Sequence, residues 1–123
     1  MKYLLSILML FVLFGCYYDS AEGLYGTPGV GCDTTVTNFG TEVKPILQSY
    51  CISCHSNSAA IGSGGGIKLQ DYADVKTYAD NGKLMGTINH SSGYLAMPKG
   101  GGKLTDCEIL KIQTWITRGT LNN

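Results

Sequence analysis

Apolar and polar positions divide the chain into an apolar head, a polar stretch without period, and a series of short helical patterns. From Tyr3 to Phe14 every residue is apolar except Ser6, and Lys2 supplies a positive start, so residues 1–15 read as an export signal. The apolar run is too short to cross a bilayer as a stable helix. Tyr17 to Gly31 carries Gly, Ala, Ser, Thr and Pro28 with no apolar period and reads as a flexible tether. As a coil such a tether would extend roughly 20 Å, with a full reach of roughly 50 Å. Beyond it, Val43, Ile46, Leu47 and Tyr50 recur at helical spacing, with Thr41 as the expected cap and Pro45 tolerated in the first turn.

Ser56 to Gly66 reads as a loop, and Ile67 and Leu69 as a short extended piece. Asp71 is the expected cap of a second helix running through Tyr72, Val75 and Tyr78 to a stop at Asn81-Gly82. Lys83 to Asn89 predicts a further helical turn with Leu84, Met85 and Ile88 on its apolar side, and His90 to Gly102 is irregular. The last helix has the clearest signals. Thr105-x-x-Glu108 is a capping box, Ile109, Ile112, Trp115 and Ile116 form an apolar stripe, and Gly119 closes it. These patterns predict an all-α domain over residues 32–123.

With 123 residues the chain holds one domain at most. Its 17 glycines leave a small polypeptide core, which a large apolar cofactor would enlarge. Nine basic and nine acidic residues balance, and the basic ones are scattered, so nothing points to nucleic acid. The charge does not identify a partner.

The candidate chemistry lies in Cys51-Ile52-Ser53-Cys54-His55. Two thiols three positions apart, followed at once by an imidazole, match the attachment pattern of c-type haem. On a first helical turn both sulfurs can point to one side and form thioethers with the haem vinyl groups. His55 then lies where a neutral ring nitrogen can ligate the iron. A redox CxxC would sit in a βαβ pattern, which is missing here, and a zinc site would need further Cys or His at ligand spacing.

The other cysteines divide by position. Leu13-Phe14-Gly15-Cys16 resembles a bacterial lipobox, in which Cys16 becomes lipid-modified and holds the protein at a membrane surface. Cys32 and Cys107 remain, an even pair that in an exported protein reads as a disulfide, the alternative being two unpaired buried thiols.

A six-coordinate haem needs a second axial ligand, and the candidates are Met97, His90 and Met85. Met97 sits in Tyr94-Leu95-Ala96-Met97-Pro98-Lys99-Gly100-Gly101, a loop suited to presenting a thioether inward and stiffened by Pro98. Met85 falls in an apolar helical stripe, where packing is the commoner role. His90 is the alternative distal ligand, or else a loop histidine bonded to a haem propionate.

With CISCH after the first helix, a Met-Pro loop later and a closing amphipathic helix, residues 32–120 resemble a mono-haem class I-type cytochrome c. The chain is more closely similar to the small lipoprotein cytochromes of Bacteroidetes-type bacteria. Cys32, Lys44-Pro45-Ile46-Leu47, Cys51 to His55, Ile88-Asn89-His90, Met97 to Gly101 and Trp115-Ile116 carry that likeness. The resemblance implies a small helical fold wrapped around one covalent haem c per chain, with thioethers at Cys51 and Cys54 and axial ligands His55 and Met97. It implies one-electron transfer rather than enzymatic catalysis.

The expected function is therefore an electron carrier tethered to an extracytoplasmic membrane face, in the periplasm or at the cell surface. Redox partners would dock transiently at a haem edge bordered by the Gly-rich segments 62–66 and 100–102. Two alternatives need an open distal site. One is a haem-based gas or redox sensor; the other is a small peroxidase-like enzyme using His90 as acid/base. A fixed subunit of a respiratory assembly is a further possibility.

Overall fold

Pro45 decides how the first helix begins. Its nitrogen has no hydrogen to give the Thr41 carbonyl, and in a regular α-helix its ring would press on that carbonyl. The chain passes this point as a wider π turn, Phe39–Val43, and only then enters α1, Lys44–Tyr50. The Asn38 carbonyl receives both the Glu42 and Val43 N–H groups, at 3.1 and 3.2 Å. Helical structure thus starts ahead of Thr41, which lies exposed inside the π turn and caps nothing, contrary to the sequence expectation.

The computed structural model describes residues 31–123; the 1–15 export signal, the Cys16 lipidation site and the 16–31 tether up to Val30 lie outside the described residues. After α1 come α2 (Ile52–His55), α3 (Ala60–Ser63), α4 (Tyr72–Asp80), α5 (Lys83–Ile88) and α6 (Asp106–Thr117). Among the described residues there is no strand, and no helix is long and apolar enough to cross a membrane. The unit is all-α, as its periodicity predicts.

The expected Ser56–Gly66 loop contains α3. Ser56 starts it: its hydroxyl accepts the Ala59 N–H at 3.2 Å and its carbonyl the Ala60 N–H at 2.9 Å. Ala60 is fully buried while its neighbour Ile61 is exposed, and this small anchor turns the loop into a helical turn. Ile67 and Leu69 form no strand. Asp71 marks the start of α4 with extended backbone, yet its carboxylate does not cap the helix. It accepts the Asn57 side-chain amide at 2.9 Å instead, tying the α2–α3 connection to α4.

Gly82, at φ 76°, makes the sharp link between α4 and α5. The α6 capping box is complete, with the Thr105 hydroxyl accepting the Glu108 N–H at 3.3 Å and the Glu108 carboxylate accepting the Thr105 N–H at 2.9 Å. Ile109, Ile112 and Trp115 on α6 meet Phe39, Val43, Ile46 and Leu47 from the π turn and α1. Val75 and Ala79 of α4, Leu84 and Ile88 of α5, and Leu69 and Leu104 from the connecting segments complete one core.

Cys32 and Cys107 form a disulfide with Cα atoms 5.5 Å apart, within the ordinary span for such a bond. The bridge joins the beginning of the described unit to the first turn of α6. Residues beyond α6 fold back on the domain. The Trp115 indole N–H donates to the Leu121 carbonyl at 2.8 Å, and Gly40 N–H donates to the Asn123 carbonyl at 2.8 Å. Buried Thr120 accepts Lys76 Nζ at 2.6 Å on its hydroxyl and the Tyr72 hydroxyl at 2.6 Å on its carbonyl. No periodic signal in residues 120–123 foretells these contacts.

Candidate haem-binding site

Cys51 is the joint between α1 and α2, ending one helix and starting the next. Its carbonyl accepts the Cys54 N–H at 3.1 Å and the His55 N–H at 2.9 Å, so the CxxCH segment forms one tight helical turn. Both cysteines are free: Cys51 is half-buried against the core and Cys54 is exposed. Burial pushes the Cys51 thiol up to about 11, so at neutral pH its sulfur keeps its proton. With Cys32 and Cys107 joined to each other, these two sulfurs are the ones left for thioether chemistry in the described unit.

His55 is buried, and its surroundings dictate its tautomer. Its Nδ1 lies 2.9 Å from the Ile67 carbonyl oxygen. A carbonyl can only accept, so Nδ1 carries a hydrogen, and in the neutral ring Nε2 is the nitrogen with the free lone pair. A backbone carbonyl holding one ring nitrogen in this way turns the other toward a metal. The backbone reinforces it, since Leu69 N–H donates to the His55 carbonyl at 2.8 Å.

The segment that bonds His55 can approach it because position 64 has no side chain. A Cβ at buried Gly64 would stand 2.5 Å from the Cys54 carbonyl oxygen and 2.8 Å from His55 Nδ1. Gly65 and Gly66 follow at φ 62° and 79°, turning the chain back toward Ile67. Gly64→Ala therefore forces Ile67 away from His55, and we expect it to destabilise the protein by about 1–3 kcal/mol. Urea unfolding of the variant checks this; an unchanged midpoint would mean that the loop yields freely.

Met97 is placed by α5. Its N–H donates to the Thr87 carbonyl at 3.1 Å, and its own carbonyl lies 3.0 Å from His90 Nε2. The Tyr94 ring lies over Gly86, where a Cβ would meet it at 2.6 Å. Met85 packs against the buried core, whereas half-buried Met97 does not belong to it, leaving the Met97 thioether uncommitted. His90 is exposed and bonded to the Met97 backbone, so its Nε2 already has a partner.

Large apolar residues stand open next to both parts of the site. Tyr50, just before Cys51, is 40 % exposed and Leu95, two residues before Met97, is 66 % exposed. Free thiols, a histidine of fixed tautomer, an uncommitted thioether and uncovered apolar side chains fit a covalent haem. Among the described residues no three His, Cys, Asp or Glu side chains gather as a zinc site would require. A cavity of about 370 Å³ is lined by Lys44, Leu47, Gln48, Ile52, Gln70 and Asp71, and it includes none of the candidate ligands.

The sequence places the 62–66 glycine run at the edge of the site and Ile67 in a short extended piece beside it, but assigns neither the part of fixing His55. Ile67 serves through its carbonyl, which any residue type could offer. Gly64 stands in a run of three glycines, and that run was the one available signal of a close approach. Compared with protein-family models, with curated proteins and with solved structures, the chain matches none.

Proposed function

We propose that this protein is a one-electron carrier holding a single covalent haem c, attached to the sulfurs of Cys51 and Cys54. The observation that carries the reading is the His55 Nδ1 bond to the Ile67 carbonyl, one residue beyond a free cysteine pair at thioether spacing. It leaves Nε2 as the proximal ligand atom. Met97 is the distal ligand, since its thioether is not used by the core and its backbone is held at both ends. A haem so held supplies reversible cycling between Fe(III) and Fe(II), with the thioether ligand favouring the reduced form.

The chain's own residues then serve to hold both iron positions closed. With His55 and Met97 as its two iron ligands, a bound haem would have no position open to a substrate and would supply electron transfer to a transiently docked partner. In this reading the small all-α unit has the cytochrome c arrangement, and Cys16 lipidation ties it to an extracytoplasmic membrane face.

Absorption spectra of the holoprotein test the proposal. The ferric form should show a weak far-red sulfur-to-iron charge-transfer band, and the ferrous form should ignore carbon monoxide. Met97→Ala should remove the band completely, lower the reduction potential and admit carbon monoxide. A wild-type protein that lacks the band and binds the gas has an open iron, and the sensor or peroxidase reading would replace the carrier.

A further inference from the structure

His90 has an unusual backbone and an unexpected partner. Its φ is 56°, in the left-handed region that residues with a side chain adopt at a cost. That conformation ends α5 and swings the imidazole toward the returning Met97 loop. Nε2 lies 3.0 Å from the Met97 carbonyl oxygen, and because a carbonyl only accepts, Nε2 is the protonated nitrogen.

The same turn holds the other side of Met97. The Thr87 carbonyl accepts two N–H groups, that of His90 at 3.2 Å and that of Met97 at 3.1 Å. Both backbone polar groups of Met97 are therefore bonded at the end of α5, one to the Thr87 carbonyl and the other to the side chain of His90, two residues beyond the helix. The Met97 side chain is not locked by core packing, so these two bonds and the Pro98 ring carry the placement of the thioether.

We propose that His90 is a positioning residue for the distal ligand: its ring holds the Met97 backbone against the end of α5 and thereby sets how readily the Met97 thioether leaves the iron. This rests on the reading of Met97 as distal ligand. Losing the bond does not remove the ligand. It raises the fraction of molecules in which the loop has moved off, and an added ligand then competes more easily for the iron.

The test is imidazole titration of the ferric holoprotein, read by the far-red band, together with the reduction potential. His90→Asn tolerates the left-handed backbone but is too short to reach the Met97 carbonyl. We expect it to bind imidazole roughly fivefold more tightly than wild type, as the loss of one ordinary hydrogen bond implies. His90→Ala should gain at least as much. His90→Gln, whose amide can place a donor near the position of Nε2, should return to within about twofold of wild type, which a merely structural role for the ring would not produce.

Wild-type affinity and potential in both His90→Asn and His90→Ala would overturn the proposal. Met97→Ala separates the two levels. If it gains affinity while the His90 variants do not, the positioning role fails and the distal ligand stands. If Met97→Ala matches wild type, the distal-ligand reading fails and the positioning role fails with it. If His90→Ala alone opens the iron to carbon monoxide, His90 is itself the ligand and the proposal is wrong.

Discussion

Replacing Cys32 and Cys107 together by serine is expected to lower the stability of the holoprotein by about 4 kcal/mol. The bridge closes a loop with a sequence separation of 75 residues. Freeing such a loop returns chain entropy to the unfolded state, and the loop-closure relation gives about 4 kcal/mol at this length. For a domain of this size that corresponds to a fall of roughly 15–30 °C in the thermal midpoint. In urea the slope should rise as well, because the uncrosslinked chain exposes more surface when it unfolds. The iron spectra should not change, since the bridge lies outside the residues proposed to hold the haem. A loss below about 1 kcal/mol would mean that the unfolded chain stays compact without the bridge.

Trp115→Ala should cost a similar amount, about 3–5 kcal/mol, through a different mechanism. Trp115 is 1 % exposed and its ring lies 5.4 Å from that of Phe39, so truncation leaves a large hole between α6 and the π turn. It also deprives the Leu121 carbonyl of its indole donor and loosens the C-terminal residues that pin Phe39 and Gly40. Trp115→Phe separates the two contributions. It refills most of the volume but leaves the carbonyl unpaired, and its expected cost is about 1–2 kcal/mol. Chemical unfolding of both variants decides the matter; equal losses would mean that the hydrogen bond, not the packing, dominates.

Local signals were legible wherever a residue's role depends on neighbours within about one helical turn. The capping box at Thr105 and Glu108, the left-handed Gly82 after α4 and the Gly119 closure after α6 all stand where the pattern puts them. The cysteine pair of the bridge was legible by elimination. Readings failed where a distant partner or a neighbouring ring outcompeted the local preference. Thr41 has a cap's side chain, but Pro45 four residues on forces a π turn through it. Asp71 stands at a helix start, but the Asn57 amide takes its carboxylate. Ser56 to Gly66 is rich in Ser and Gly and shows no helical period, but burial of Ala60 makes a helical turn of it.

The sequence by itself determined the candidate chemistry, because CxxCH places two sulfurs and an imidazole on one helical turn whatever surrounds it. It determined the all-α class too, through apolar spacing. The tertiary structure alone decided which ring nitrogen of His55 is left for a metal, because that depends on a carbonyl twelve residues away and on a missing side chain at Gly64. It also decided that His90 bonds the Met97 loop. Residue type states what a side chain can donate or accept; only the folded chain determines which partner comes within about 3 Å of it.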